Sequence, residues 1–145
     1  MSMLFRCLAT ALLCAGLPTL GLGQTAEDPH SSLFIELNAT ETVSGACRLT
    51  FVARNETGVL IDKASFQTVF FDTTGKVISL TLFNFQDLPV DRIRVRQFEL
   101  KDTGCDAIGQ TLINGTNTCL VDGSESEICQ QALSLSSRVD MELLG

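Results

Sequence analysis

Residues 45–55, GACRLTFVARN, constrain the fold more than any other stretch of the chain. Cys47, Leu49, Phe51 and Ala53 share one parity, and Arg48, Thr50 and Arg54 share the other. Period-two alternation with charge on one side describes a strand that buries one face and wets the other. Such a strand must find neighbours for its backbone groups and a second layer for its apolar face.

Comparable signals recur on both sides of it. Residues 32–38 alternate Leu33, Ile35 and Leu37 against Phe34 and Glu36, which predicts a first strand. Residues 55–58, NETG, read as a turn. A third strand is predicted over 63–72, buried on both sides in its second half. There Phe66 and Phe70 share one parity, and Val69 and Phe71 the other. DTTG (72–75) supplies a hairpin turn, and residues 76–83 return as a β-rich run. After the turn DLPVD, residues 92–100 predict a fifth strand. Beyond it the signals weaken. Residues 105–114 read as a strand broken at Gly109, and 114–117, NGTN, as a turn. Ser124 with Glu127 forms a capping-box pattern that predicts a short helix near the C-terminus. Residues 133–144 alternate again, through Leu135, Val139, Met141 and Leu143, as a final strand. About seven short strands separated by turns predict an all-β, antiparallel, immunoglobulin-like β-sandwich, with a small barrel as the alternative. Phenylalanine supplies the bulk of its core.

Residues 1–23 read as a signal peptide, with Arg6, an apolar run from Cys7 to Leu17, Pro18, and small residues at Gly21 and Gly23. The apolar run falls short of the ~20 residues that span a bilayer, so no stable membrane insertion is expected. Residues 24–31 read as a flexible segment, and 32–145 as a single sandwich domain. Removal of 1–23 leaves four of the six cysteines: Cys47, Cys105, Cys119 and Cys129. An even number in an exported domain reads as two disulfides, and the compartment as periplasmic or secreted. Four cysteines allow three connectivities. The pairing expected is Cys119–Cys129, closing a short loop around the acidic segment, and Cys47–Cys105, tying the second strand to the later half. The close pairs that zinc prefers are absent, and no cofactor is expected. The net charge of −7 becomes −8 without Arg6, which argues against nucleic acid as a partner.

Several of these positions carry a resemblance. Asn55, Thr57, Gly58, Phe71, Asp72 and Gly75, followed by Leu88-Pro89, resemble the FxLYD type of immunoglobulin-like domain found in exported bacterial proteins. The likeness covers roughly residues 45–100. It departs from the pattern in having Phe71 where tyrosine is common, and in its four cysteines. The whole chain also resembles small uncharacterised periplasmic proteins of alphaproteobacteria. The resemblance implies an exported sandwich that serves as a module for binding or packing against other proteins.

Chemical motifs are sparse. His30, the one histidine, lies in the polar segment beside Pro29, where nothing holds an imidazole for catalysis. Asp72, Asp91 and Asp102 adjoin turns, where aspartate bonds the backbone. The acidic run 122–127 lacks the ligand spacing of a calcium loop, so no metal site is assigned. The triplets at Asn38, Asn55 and Asn114 match the glycosylation sequon and are read as chance. Arg92, Arg94 and Arg96 stand out. At alternate positions of one strand they would line one face outside the core, as a candidate site for an acidic protein partner. The bland counterpart is an outer strand kept soluble by charge and paired with neighbouring acids. The function expected is a non-enzymatic exported module for protein binding or an envelope structural role. The alternative is a periplasmic hydrolase or inhibitor whose site is not visible in sequence.

Overall fold

The computed structural model describes residues 32–145. The expected signal peptide, the segment 24–31 and His30 lie outside the described residues. β1 (Leu33–Val43) and β2 (Ala46–Asn55) form an antiparallel hairpin. Leu33, Ile35 and Leu37 of the first strand, and Cys47, Leu49, Phe51 and Ala53 of the second, are all buried on the same side. Alternation in sequence has become one wall of the core. The chain then crosses to a second sheet with β3 (Ile61–Asp72) and β4 (Val77–Leu88). It returns to the rim of the first sheet as β5 (Ile93–Leu100), paired with β2.

The later half alternates between the sheets. A 3-10 turn at Cys105–Ala107 leads into β6 (Ile108–Val121) beside β3. A two-residue strand, β7 (Ser124–Glu125), folds back on β6, and the helix α1 (Ile128–Gln131) follows. β8 (Leu133–Ser137) joins the first sheet beside β1, and β9 (Glu142–Leu144) joins the second beside β6. The order is β5-β2-β1-β8 in one sheet and β4-β3-β6-β7 in the other, with β9 also on β6.

Phenylalanine joins the two layers. Phe51 and Phe98 of the first sheet meet Phe83 and Phe85 of the second, and Phe83 stacks on Phe98 with centroids 4.0 Å apart. Phe66 and Phe70 add edge-to-face contacts on β3. Each such pair contributes roughly 0.5–1.5 kcal/mol beyond area burial. Cys47 bonds Cys105 and Cys119 bonds Cys129, so one disulfide fastens β2 to the 3-10 turn and the other fastens α1 to β6.

The hairpin DTTG is built by one carboxylate. Asp72 accepts hydrogen bonds from the Thr74 hydroxyl (2.7 Å), the Thr74 amide (2.8 Å) and the Lys76 amide (3.0 Å). Gly75 takes φ of 86°, which a side chain would resist. The crossing from β2 to β3 is organised by Asn55, which is fully buried. Its amide nitrogen donates to the Val59 and Leu88 carbonyls at 2.8 and 2.7 Å, and its oxygen accepts from the Thr57 amide and hydroxyl.

Several expectations about local structure are corrected. Among the described residues the sandwich has nine strands, and β8 and β9 pair in parallel with their neighbours rather than antiparallel. NGTN is no turn: residues 114–117 run inside β6, absorbed by register shifts against Ser65–Thr68 of β3. Gly109 does not break that strand either. It lies against the backbone of Asp72, where a Cβ would come within 2.7 Å of the carbonyl oxygen, so glycine there serves close approach. The capping box does not form, because Ser124 belongs to β7 and the helix begins after Glu127 with no side-chain cap. Residues 133–144 form two short strands in different sheets rather than one.

Candidate functional site

The arginine stripe takes a different position from the one expected. Arg92 precedes β5 and lies outside it, exposed. Arg94 and Arg96 stand opposite Ala53 and Phe51 of β2, so they share the inner face with Phe98 and Leu100. The physical reason is parity. Phe98 must reach Phe51 and Phe83, and every even residue of β5 turns inward with it. At the rim of the sandwich the two arginines reach past the core to β4. Arg96 Nε donates to the Phe85 carbonyl at 2.7 Å, and its Nη2 to the Asp87 carbonyl at 3.3 Å. The Asp87 carboxylate meets Arg94 Nη2 at 3.3 Å and Arg96 Nη2 at 3.6 Å. These two side chains close the gap between the sheets and cap the far end of the β4 edge.

The same parity turns apolar residues outward. Ile93 and Val95 of β5 are exposed beside Arg54 and Val52 on the outer face of the first sheet. On β4, Ser79, Thr81 and Phe83 stand opposite Phe70, Thr68 and Phe66, all three of which are buried. Ile78, Leu80 and Leu82 therefore face away from the core. With Val77 they are between 41% and 57% exposed, although nothing in their type favours water. Among the described residues β4 pairs only with β3, so its other edge carries no strand. From Val77 to Gln86 the strand holds no charged residue. Long uncharged edges of this kind are what natural sheets ordinarily break with charge, proline or a covering element. Here that protection is confined to the Phe85–Asp87 end, where the arginines sit.

Sequence reasoning missed this edge. The signal was VISLTLFNF, in which Ile78, Leu80 and Leu82 hold one parity and Phe83 and Phe85 the other. Both sets cannot face one core. The phenylalanines, with the larger area to bury, take the inside.

The remaining candidates have structural roles. Among the described residues two carboxylates titrate below their usual range. Glu36 does so because the Asn38 side chain and then Arg138 hydrogen-bond its charged form. Asp72 does so because of the Thr74 hydroxyl and the turn amides. In the acidic segment, Asp62 of β3 accepts from the Gly123 amide at 3.0 Å and fixes the β6–β7 turn. Among the described residues no group of three His, Cys, Asp or Glu side chains is placed to hold a metal ion, and no helix is long and apolar enough to cross a membrane. Of the sequon asparagines, Asn55 is fully buried and engaged at the crossing, so in the folded chain it offers no site for a glycan. A groove of about 430 Å³ lies between β6 and the C-terminal strands, lined by Ile113, Thr116, Leu133, Leu135 and Leu143.

No family model and no curated protein matches the chain. Its fold is similar to that of the solved structure of IrmA from Escherichia coli, with a TM-score of 0.59 at 12% identity over 72% of this chain and 90% of that one.

Proposed function

We propose that the chain is an exported, disulfide-bonded module of immunoglobulin-like type that works by binding protein, with the open edge of β4 as its docking element. The observation that carries this reading is the outward row Ile78, Leu80 and Leu82 beside a backbone edge that is uncharged and, among the described residues, unpaired. Main-chain groups on such an edge give affinity to any incoming strand, and the alternate side chains give selectivity. Two disulfides support an oxidising compartment. An acidic partner on the arginines is the weaker reading, because Arg94 and Arg96 are engaged with Asp87 and β4 carbonyls.

The test is site-specific photo-crosslinking of the exported protein in its own compartment. A photoreactive residue at Leu80 should capture protein, and one at Thr50, on the outer face of the other sheet, should not. Equal labelling at both positions, or none at Leu80, refutes the docking role of β4. Intact mass of the same preparation should show residues 1–23 removed.

A further inference from the structure

We infer that the β4 edge takes a second copy of this chain, in an antiparallel β4–β4′ pairing about a two-fold axis through Leu80. The inference rests on the reading of β4 as the docking edge and names its occupant. Three observations select a second copy. First, the segment Ile78-Ser79-Leu80-Thr81-Leu82 reads nearly the same in both directions: apolar, hydroxyl, apolar, hydroxyl, apolar. Antiparallel pairing about Leu80 places Ile78 opposite Leu82′, Ser79 opposite Thr81′, and Leu80 opposite itself. Opposed residues share a face, so every outward apolar side chain meets an apolar one. A two-fold interface requires this kind of self-complementarity.

Second, the stretch is bounded and keeps one register. Ser79–Phe83 pairs with Phe66–Phe70 without a register shift, whereas shifts occur beyond it at Phe70/Phe71 and near Gln86. Arg96 occupies the edge carbonyls at Phe85 and Asp87. What is left open among the described residues is the part that would pair with itself. Third, charge and area agree. A chain of net charge −7 repels its own copy, and the uncharged run Val77–Gln86 is a place where that repulsion is least. The outward side chains of Val77, Ile78, Leu80 and Leu82 present on the order of a few hundred Å² per copy, the size at which an exposed patch marks an interaction site. Over both copies, with the backbone ladder, the pairing falls below the ~1,200–2,000 Å² buried by standard stable complexes, in the range of weak and transient ones. It should therefore be a reversible dimer with a dissociation constant of roughly micromolar order.

Sedimentation velocity of the disulfide-intact mature protein, from about 1 to several hundred micromolar, tests this. Wild type should shift from monomer to dimer with no larger species. Leu80→Lys puts two ammonium groups on the axis and should raise the dissociation constant at least tenfold, at an unchanged circular dichroism spectrum. Leu82→Lys alone should weaken the dimer, and Ile78→Glu with Leu82→Lys should restore it, because the register sets each new glutamate against a lysine of the other copy. In air, L80C should crosslink to itself and I93C should not. Failure of the charge pair to restore dimers, self-linking of I93C, or open-ended aggregates would overturn the pairing. A wild type monomeric throughout, yet still crosslinking another protein through residue 80, would overturn the second copy while leaving the docking reading standing. Monomer with no such crosslinks would remove both.

Discussion

Asn55→Ala should be the most damaging polar substitution in the chain. Asn55 is fully buried and makes four hydrogen bonds: two donated to the Val59 and Leu88 carbonyls, and two accepted from Thr57. Each ordinary bond adds about 1 kcal/mol net. The larger effect is what the alanine leaves behind. The bond to the Leu88 carbonyl lies in the buried interior, so water does not replace the lost donor. An unsatisfied buried group costs roughly 1–3 kcal/mol. The two bonds to Thr57 and the one to Val59 are only partly buried, and solvent recovers some of their loss. The sum comes to about 3–5 kcal/mol, a large share of the roughly 5–15 kcal/mol of a typical domain. Thr57→Ala removes only its hydroxyl bonds and should cost about 1 kcal/mol. Equilibrium urea unfolding of the disulfide-intact variants measures both. A loss below about 1.5 kcal/mol for Asn55→Ala, or one no larger than for Thr57→Ala, would show that Asn55 does not hold the β2–β3 crossing to β4.

Replacing Cys47 and Cys105 by serine opens a closure of 58 residues and should cost about 4 kcal/mol, against about 3 kcal/mol for the 10-residue closure of Cys119 and Cys129; thermal melting of the two double variants should rank them in that order. Arg96→Ala should cost about 1–2 kcal/mol through its lost carbonyl bonds, whereas Arg92→Ala should be neutral, so chemical denaturation separates two residues that sequence spacing makes alike. Asp72 has its pKa lowered in the folded state, so its stabilisation is present above the ordinary aspartate value of about 4 and is lost as pH falls through the lower folded value. The stability gap between wild type and Asp72→Asn should accordingly narrow on acidification below about pH 4, and a gap that widens there would contradict the assignment.

How much of the fold was legible followed from how local the determinants were. β2 could be read because its alternation is strict and every inward residue before its last, Asn55, is apolar. DTTG could be read because Asp72 and Gly75 build the turn with their own neighbours. NGTN is likewise built of turn-favouring residues and is not a turn. Its backbone is held in β6 by fifty residues' distance of chain, through the pairing with Ser65–Thr68, and no property of 114–117 reports that partner. The C-terminal alternation failed for a related reason. Residues 133–144 divide between two sheets, and the choice is made by the free edges of β1 and β6 rather than by the segment itself.

The arginines and the β4 edge show how one ambiguity decided both errors at the site. In RIRVRQFEL, an isolated strand is as well described with arginines outside as with Ile93 and Val95 outside. Phe98 breaks the tie, but only once Phe83 and Phe51 are known to lie across from it. The same tie exists in VISLTLFNF and is broken by the same rings. The aromatic cluster thus sets the outward face of both rim strands, leaving isoleucine, leucine and valine exposed on each. Arg94 and Arg96, placed inward at a rim, have room to reach one strand across and no further. They satisfy carbonyls at Phe85 and Asp87, which gives β4 the protection an edge strand needs over one end only. Removing that partial cover should lengthen the free edge and admit registers of self-pairing other than the one centred on Leu80. Arg96→Ala should then raise self-association above that of wild type at equal concentration, even as it lowers stability. Sedimentation showing the variant no more associated than wild type would mean that the arginines close the rim of the sandwich without guarding its edge.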